Sequence, residues 1–442
     1  MLQQKLNSSP LRITIIGAGV SGLVSAISCA LAGHRVLVLE AAKELAEVCA
    51  RSRGTRVFSD LLRLQIGAGF QITPNGAKVF KQLGVYDELE PKAAIPTAFT
   101  VRRYSDGTVL ARTGNFDHEL REKYGVPFLD LHRVDVQRAL AARAKALGAE
   151  VRLGCRVADI DFDAATLTLE SGESLEADLL VGADGLWSKC RERFLATQGK
   201  SEDAPLPTGD LAYRIVLNLD EISDLKLKEI VSKPTCQLWI GPGSHVVAYS
   251  VRGGTMFNVV LLVPDDLPAD VARQSASLDE MRKLFTNWDP VLNRFLDQVK
   301  TVDKWKLMHR PELESWVGGD GKFVFVGDAA HPMLPCECTS KSCFLMTPSD
   351  DTYRPRAGCQ LKHRRRRCAR LHPLPSSIHR PSFQTCRSTS PLSASSQATR
   401  RGHRQRNFRS ETRLSSSRWA RTTGPRRAYA QQARCCCRGQ VS

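Results

Sequence analysis

Through its first 335 residues the sequence has almost no excess of either charge: 40 Lys and Arg stand against 42 Asp and Glu, so nothing there points to nucleic acid or another polyanion as a partner. The net +17 comes from the remainder, where 23 basic residues face four acids, Glu337, Asp350, Asp351 and Glu411. Cysteine is also scarce before residue 336. Cys29, Cys49, Cys155, Cys190 and Cys236 lack metal-ligand or paired spacing, which argues against a metal site or a disulfide framework and fits a reducing, cytoplasmic setting. A long uninterrupted apolar run is missing too. The stretch from Ile13 to Gly33 is broken by Gly17, Gly19 and Gly22 and is followed by no A-x-A-like cleavage site, which weighs against a membrane span or a signal peptide.

What is present organises itself around Arg12 to Glu40. Ile13, Ile15 and Ile16 form a β-branched run, and Gly17, Gly19 and Gly22 follow in the G-x-G-x-x-G spacing of a dinucleotide-binding turn. The first glycine permits the tight turn, the second lets a pyrophosphate approach the backbone, and the third lets helix and strand pack closely. A helix from about Ser21 to Ala32 ends at Gly33, and its N-terminus would attract the phosphates. VLVLE then reads as a strand buried on both faces and ending at Glu40, where a carboxylate accepts ribose hydroxyls and repels a 2′-phosphate. Only one such glycine triplet occurs, which argues against a separate nicotinamide domain.

Further along, AAKELAEV after Glu40 is helix-like, whereas the basic segment from Cys49 to Gln65 has no clean period. Gly67 opens a glycine-rich loop, Pro74-Asn75-Gly76 reads as a turn, and Val79, Phe80 and Leu83 mark one face of a helix. Residues 98–112 read as a hairpin turning at Asp106-Gly107, and 131–148 as a helix with Arg133 at its start. Short strands with turns at Asp163-Ala164 and Ser171-Gly172 lead to a buried strand, Leu179 to Gly182, closed by Asp184-Gly185. From Gly209 to Val263 the pattern is all strand, predicting an antiparallel sheet with one face free to cover a ligand. A single amphipathic helix over 279–299 and a third buried strand ending at Gly327-Asp328 follow.

Taken together, GAGVSG at 17–22, GADG at 182–185 and GDAAHPMLP at 327–335 resemble the flavin-dependent aromatic hydroxylases, and in particular the salicylate hydroxylase-like fungal monooxygenases. GAGFQITPN at 67–75 and HVVAYSVRGG at 245–254 are similar to family segments as well. The resemblance implies an α/β fold, α+β overall, with a Rossmann-like FAD-binding domain and an antiparallel substrate sheet. Its segments are 11–200 (first cofactor part), 201–305 (substrate domain) and 306–335 (cofactor return), with a disordered basic tail over 336–442. It also implies a monooxygenase that hydroxylates a small phenolic substrate with NAD(P)H and O₂, in fungal secondary metabolism or aromatic catabolism. By the same resemblance FAD would be held by Gly17, Gly19, Gly22, Glu40, Gly67, Gly69, Arg133, Asp184, Asp328 and Pro332. Arg214 and Tyr249 would orient the phenol, the arginine as a fixed charge and the tyrosine as donor or acceptor.

Plainer readings stand beside these. Asp184 can be a turn residue, Arg214 a surface strand residue and Tyr249 a half-buried aromatic, while His331 reads as shaping its loop. Two stretches depart from the family pattern. Residues 48–65 look inserted, as an in-frame unspliced intron or a surface loop. After Pro335 the expected Gln-Gly turn and Glu-Asp-Ala helix are replaced by an Arg/Ser-rich tract, which a second unspliced intron with a frameshift explains and in which RRRR at 364–367 could otherwise be a nuclear signal or nucleic-acid patch. The alternatives to an aromatic hydroxylase are an isoprenoid epoxidase or flavin oxidoreductase, and an FAD-binding product of a mis-spliced gene without activity.

Overall fold

β-Branched residues on either side of the first glycine turn build the central sheet. In the computed structural model, which describes residues 9–45, 69–200 and 203–333, this sheet has six strands in the order β18-β19-β11-β1-β2-β7. β1 (Arg12–Ile16), β2 (Arg35–Glu40), β7 (Glu150–Leu153), β11 (Leu179–Gly182) and β19 (Phe323–Phe325) run parallel, and β18 (Val317–Gly318) closes the edge antiparallel. Alternation along β1 sends side chains into two cores. Ile13 and Ile15 join Leu23 and Ile27 of the helix Val20–Leu31, with Val136 and Leu140 of the helix Arg133–Ala146. Ile16 instead joins Leu180, Phe162, Phe194, Phe323 and Phe325 on the opposite side. There Phe323 and Phe325 meet edge-on at 4.6 Å and Phe162 meets Phe323 at 4.8 Å, so truncating one of these rings costs roughly 3–5 kcal/mol.

The second sheet has eight strands in the order β16-β17-β12-β15-β14-β13-β4-β5. These are β4 (Phe99–Arg103), β5 (Val109–Thr113), β12 (Leu206–Asn218), β13 (Cys236–Gly241), β14 (Ser244–Val251), β15 (Met256–Pro264), β16 (Arg273–Ser275) and β17 (Asp303–His309). The period of two divides its faces. Tyr213, Ile215, Val246, Ala248, Phe257 and Val259 pack under helices that contribute Leu227, Met281, Phe285 and Phe295. The alternate residues, among them Arg214, Val216, Val247, Tyr249 and Asn258, face the other way, toward a two-stranded ribbon of β3 (Gly69–Ile72) and β6 (Leu129–His132).

Several elements differ from the sequence reading. The sheet is not wholly antiparallel, because the 99–113 hairpin pairs with β13 in parallel and so lies in this eight-stranded sheet although its residues fall within 11–200. A helix, Leu225–Ser232, interrupts the all-strand stretch, its first turn capped by the Asp224 carboxylate. The expected single helix over 279–299 is two, Leu278–Leu284 and Pro290–Asp297. Pro290 lacks the N–H that continuation needs, and Asp289 caps the second helix by accepting from Val291 N at 2.9 Å. Pro74-Asn75-Gly76 is not a free turn but the first turn of the helix Pro74–Leu83. Residues 41–45 bend rather than coil into a helix, and β7 was hidden by its exposed, mixed composition. The expected insertion over 48–65, Gly67 and the tail over 336–442 lie outside the described residues. Among the described residues no helix is long and apolar enough to cross a membrane.

Candidate active site

Three turns from distant parts of the chain interlock at the C-terminal edge of the six-stranded sheet, where open α/β sheets bind ligands. Gly17 turns out of β1 with φ +110°, and a Cβ there would lie 2.5 Å from the Ala183 carbonyl oxygen in the GADG turn. Gly327, with φ +62°, is pressed against the Ser21 side chain at the start of the first helix. A Cβ on Gly22 would strike the Gly17 carbonyl oxygen and reach to 3.2 Å of the Ala183 Cβ. The GAGVSG, GADG and GDAAHP segments are therefore in direct contact around one crevice.

The residues lining that crevice suit FAD. A Cβ on Gly19 would meet nothing within 4 Å, so the space over the second glycine is open, and the helix it precedes has neither a side-chain cap nor an acid in its first turn. Its bare N–H groups are free to bind an anion. Glu40 is buried at the end of β2, with Oε2 accepting from Ala18 N and Oε1 from Ala42 N, each at 2.8 Å. Each oxygen keeps a lone pair for a ribose hydroxyl. Asp328 stays exposed at the mouth, yet the surrounding chain strips enough water from its carboxyl to raise its pKa above the ordinary value, against the opposing pull of Arg133 and His331. Arg133 stands at the start of its helix, and its charge acts on Asp328. Pro332 is half-buried just beyond, and the His331 ring meets Trp316 at a tilt of 36° with centroids 4.9 Å apart.

Asp184 has a local occupation. Its carboxylate accepts from Ser188 Oγ at 2.5 Å and Cys190 N at 3.0 Å, fixing the turn to the helix Lys189–Thr197. From that helix comes a feature the sequence reading missed. Arg191, fully buried, pairs with Asp203 at 2.6 Å and donates to the carbonyl oxygens of Ala330 at 3.2 Å and Pro311 at 2.6 Å; Arg310 meets the same aspartate at 2.8 Å. The loop after Asp328 is thus anchored from behind by a buried charge network.

Tyr249 and Arg214 share the ribbon-facing side of the eight-stranded sheet, with β15 between their strands. Tyr249 is buried, its ring and hydroxyl so close to Gly69 that a Cβ there would lie 2.6 Å from the hydroxyl oxygen. Burial pushes its pKa well up, the nearby acids Asp130 and Cys236 add to the rise, and Arg214 opposes it. The Arg214 guanidinium stacks on Trp305 of β17 at 5.2 Å, on the side of β12 away from Tyr249, and Arg273 covers the same ring at 4.3 Å. The structure therefore puts the two residues on one face, two strands apart. Gly69 N donates to Asn258 Oδ1 at 2.9 Å, tying the ribbon to the sheet. Buried polar atoms with no partner lie along this seam, Asn258 Nδ2, Asp130 Oδ2 and His132 Nε2, and others among the described residues lie elsewhere, Trp305 Nε1, Arg310 Nε and His331 Nδ1. Lone polar residues inside apolar strands, Asp130 in FLDLH and Asn258 in FNVVLLV, were the available signal.

The FAD binding domain family matches residues 11–339. The chain is 47% identical over 328 residues to the FAD-dependent monooxygenase OpS4 of Beauveria bassiana, covering 74% of this chain and 72% of that protein. It is 30% identical over 330 residues to the 3-amino-4-hydroxybenzoate 2-monooxygenase of Streptomyces cremeus, covering 74% and 73%. A solved salicylate hydroxylase substrate complex superposes with a TM-score of 0.57 at 23% identity, covering 75% of each chain, a likeness of fold. The chain belongs to the FAD binding domain family. Within it, this is an FAD-dependent monooxygenase of the aromatic hydroxylase type, an enzyme whose cofactor is FAD, as the three motifs imply.

Proposed function

We propose that this enzyme hydroxylates a small phenolic substrate held between the crevice and the Tyr249 face of the eight-stranded sheet, with NAD(P)H as electron donor. The observation that carries the reading is Gly69, which touches Tyr249 and Asn258 on one side and lies in the segment that follows the glycine loop on the other. Bound FAD supplies the transfer of electrons from NAD(P)H to O₂ and the activation of oxygen. Overall, NAD(P)H, a proton, O₂ and the arene give NAD(P)⁺, water and the phenol with one further hydroxyl. The protein's own part is orientation and charge. Tyr249, kept protonated by burial, donates to the substrate oxygen; Arg214 places positive charge beside the phenolate; and the apolar Val216 and Val247 keep water from the reacting carbon. Asp184 and Arg133 are read as lining the cofactor crevice, with Asp328 meeting the ribityl chain.

The test is to load the purified full chain with FAD and follow NAD(P)H oxidation with a panel of phenols and hydroxybenzoates, tracing oxygen from labelled O₂ into product. Phenol-dependent oxidation with label in the ring is expected. Acceleration by prenyl alkenes and not by phenols would overturn the aromatic reading, and retained FAD without turnover would leave a binding chain rather than a hydroxylase.

A further inference from the structure

Beneath Tyr249 lies an acid that the reaction as described does not use. Asp130 is 1% exposed on β6, opposite Gln71 of β3, whose Nε2 donates to Asp130 Oδ1 at 2.9 Å and reaches Cys236 Sγ at 3.5 Å. Cys236 sits directly across from Tyr249 in the sheet register. The second oxygen, Oδ2, has no partner, and among the described residues no cation pairs with this carboxyl. Arg252 on the turn after β14 is occupied by Asp135 at 2.8 Å and leans on His132 Nδ1 at 3.5 Å, while burial keeps His132 itself neutral. An isolated carboxylate in such a place has lost its water and gained one amide hydrogen bond, too little to hold a charge.

We propose that Asp130 stands under the substrate face as a neutral carboxylic acid and so leaves the Tyr249 side of that face free of fixed negative charge, able to take the aromatic as its anion. The inference rests on the reading of Tyr249 given above. A neutral Asp130 leaves room for the negative charge of a phenolate beside Tyr249. An ionised one repels it, so the charge of Asp130 limits binding of the anion at alkaline pH. The groups around the pair are Cys236 from β13, Arg214 from β12, His132 from the ribbon, Asp135 from the helix that follows it and Arg252 from the turn after β14; of these only Arg214 brings its charge to bear on Tyr249 in favour of ionisation. Burial raises the Asp130 pKa well above the carboxylate range, in accord with the geometry.

The test uses the FAD-loaded full chain and needs no substrate. The infrared difference between wild type and Asp130→Asn is expected to show a protonated-carboxyl band at neutral pH; a carboxylate band in its place overturns the proposal. In ultraviolet titration, the tyrosinate component that Tyr249→Phe removes is expected to move down by about one pH unit in Asp130→Asn, because at the alkaline pH of that titration the wild-type Asp130 is ionised and opposes a second charge, and the variant lacks it. A component that stays put overturns the link between the two residues. If Asp130→Asn does not fold, Gln71→Leu removes the donor to Oδ1 and is expected to shift the wild-type carboxyl band, and an unshifted band is equally fatal. Normal phenol turnover by Tyr249→Phe would instead sink the proposed function, leaving the spectroscopic link to be judged by itself.

Discussion

The proposed cofactor crevice and the proposed substrate face are built by different means. The crevice is made of backbone: positive φ at Gly17 and Gly327, carbonyls in contact with neighbouring turns, and bare helix N–H groups. The face is made of side chains set by the two-residue period of β12, β14 and β15, and of polar groups supplied by a separate ribbon. Backbone sites tolerate few residue types, so they leave fixed motifs. Side-chain sites only need some polar group at some strand position, so their residues can change with the substrate while the crevice persists.

Four substitutions or conditions would break or sharpen that contrast, from the largest expected effect down. Arg191→Ala removes one of the two arginines that hold Asp203 and frees the Ala330 carbonyl, and is expected to lower stability by about 3 kcal/mol in denaturant unfolding and to weaken FAD retention. Gly17→Ala drives a methyl into the Ala183 carbonyl at a φ that L residues avoid. A loss of about 3 kcal/mol, read as apoprotein after purification, is expected, and a yellow Gly17→Ala protein would count against the backbone account. Acid destabilisation should carry a His132 component. Burial lowers its pKa to about 4, so the folded state refuses a proton that the unfolded chain takes. Its contribution is complete above about pH 6.5 and is lost as pH falls toward 4, up to about 3 kcal/mol, and the melting temperature of His132→Asn should fall less steeply over that window. Arg214→Lys keeps the charge but loses the planar stack on Trp305. A tenfold rise in KM, about 1.4 kcal/mol, with unaltered FAD content is the expected mark of a residue that belongs to the face alone.

The same contrast governs what could be read from the sequence. GAGVSG, GADG and GDAAHP were legible because each turn demands glycine at a fixed spacing, and their meeting at one edge follows from parallel strands that end together. The alternation of LAYRIVLNL and HVVAYSV announced a sheet with one covered face. The ribbon was harder to see. Gly69 and Asn258 are 189 residues apart, and no local pattern encodes a bond of that length. Gln71 and Asp130 acquire meaning only once β3 and β6 pair. The division of 279–299 into two helices was within reach, since Asp289-Pro290 is a cap followed by a proline, but the apolar period on both sides masked it.

The central claim is that three distant turns serve a single FAD. Its most direct measurement is the flavin-to-protein ratio of Gly17→Ala, Asp184→Ala and Asp328→Ala beside wild type, each checked for fold by circular dichroism. The account predicts stoichiometric FAD in wild type and a fall in all three; a folded variant from any one turn that keeps its full complement would contradict it.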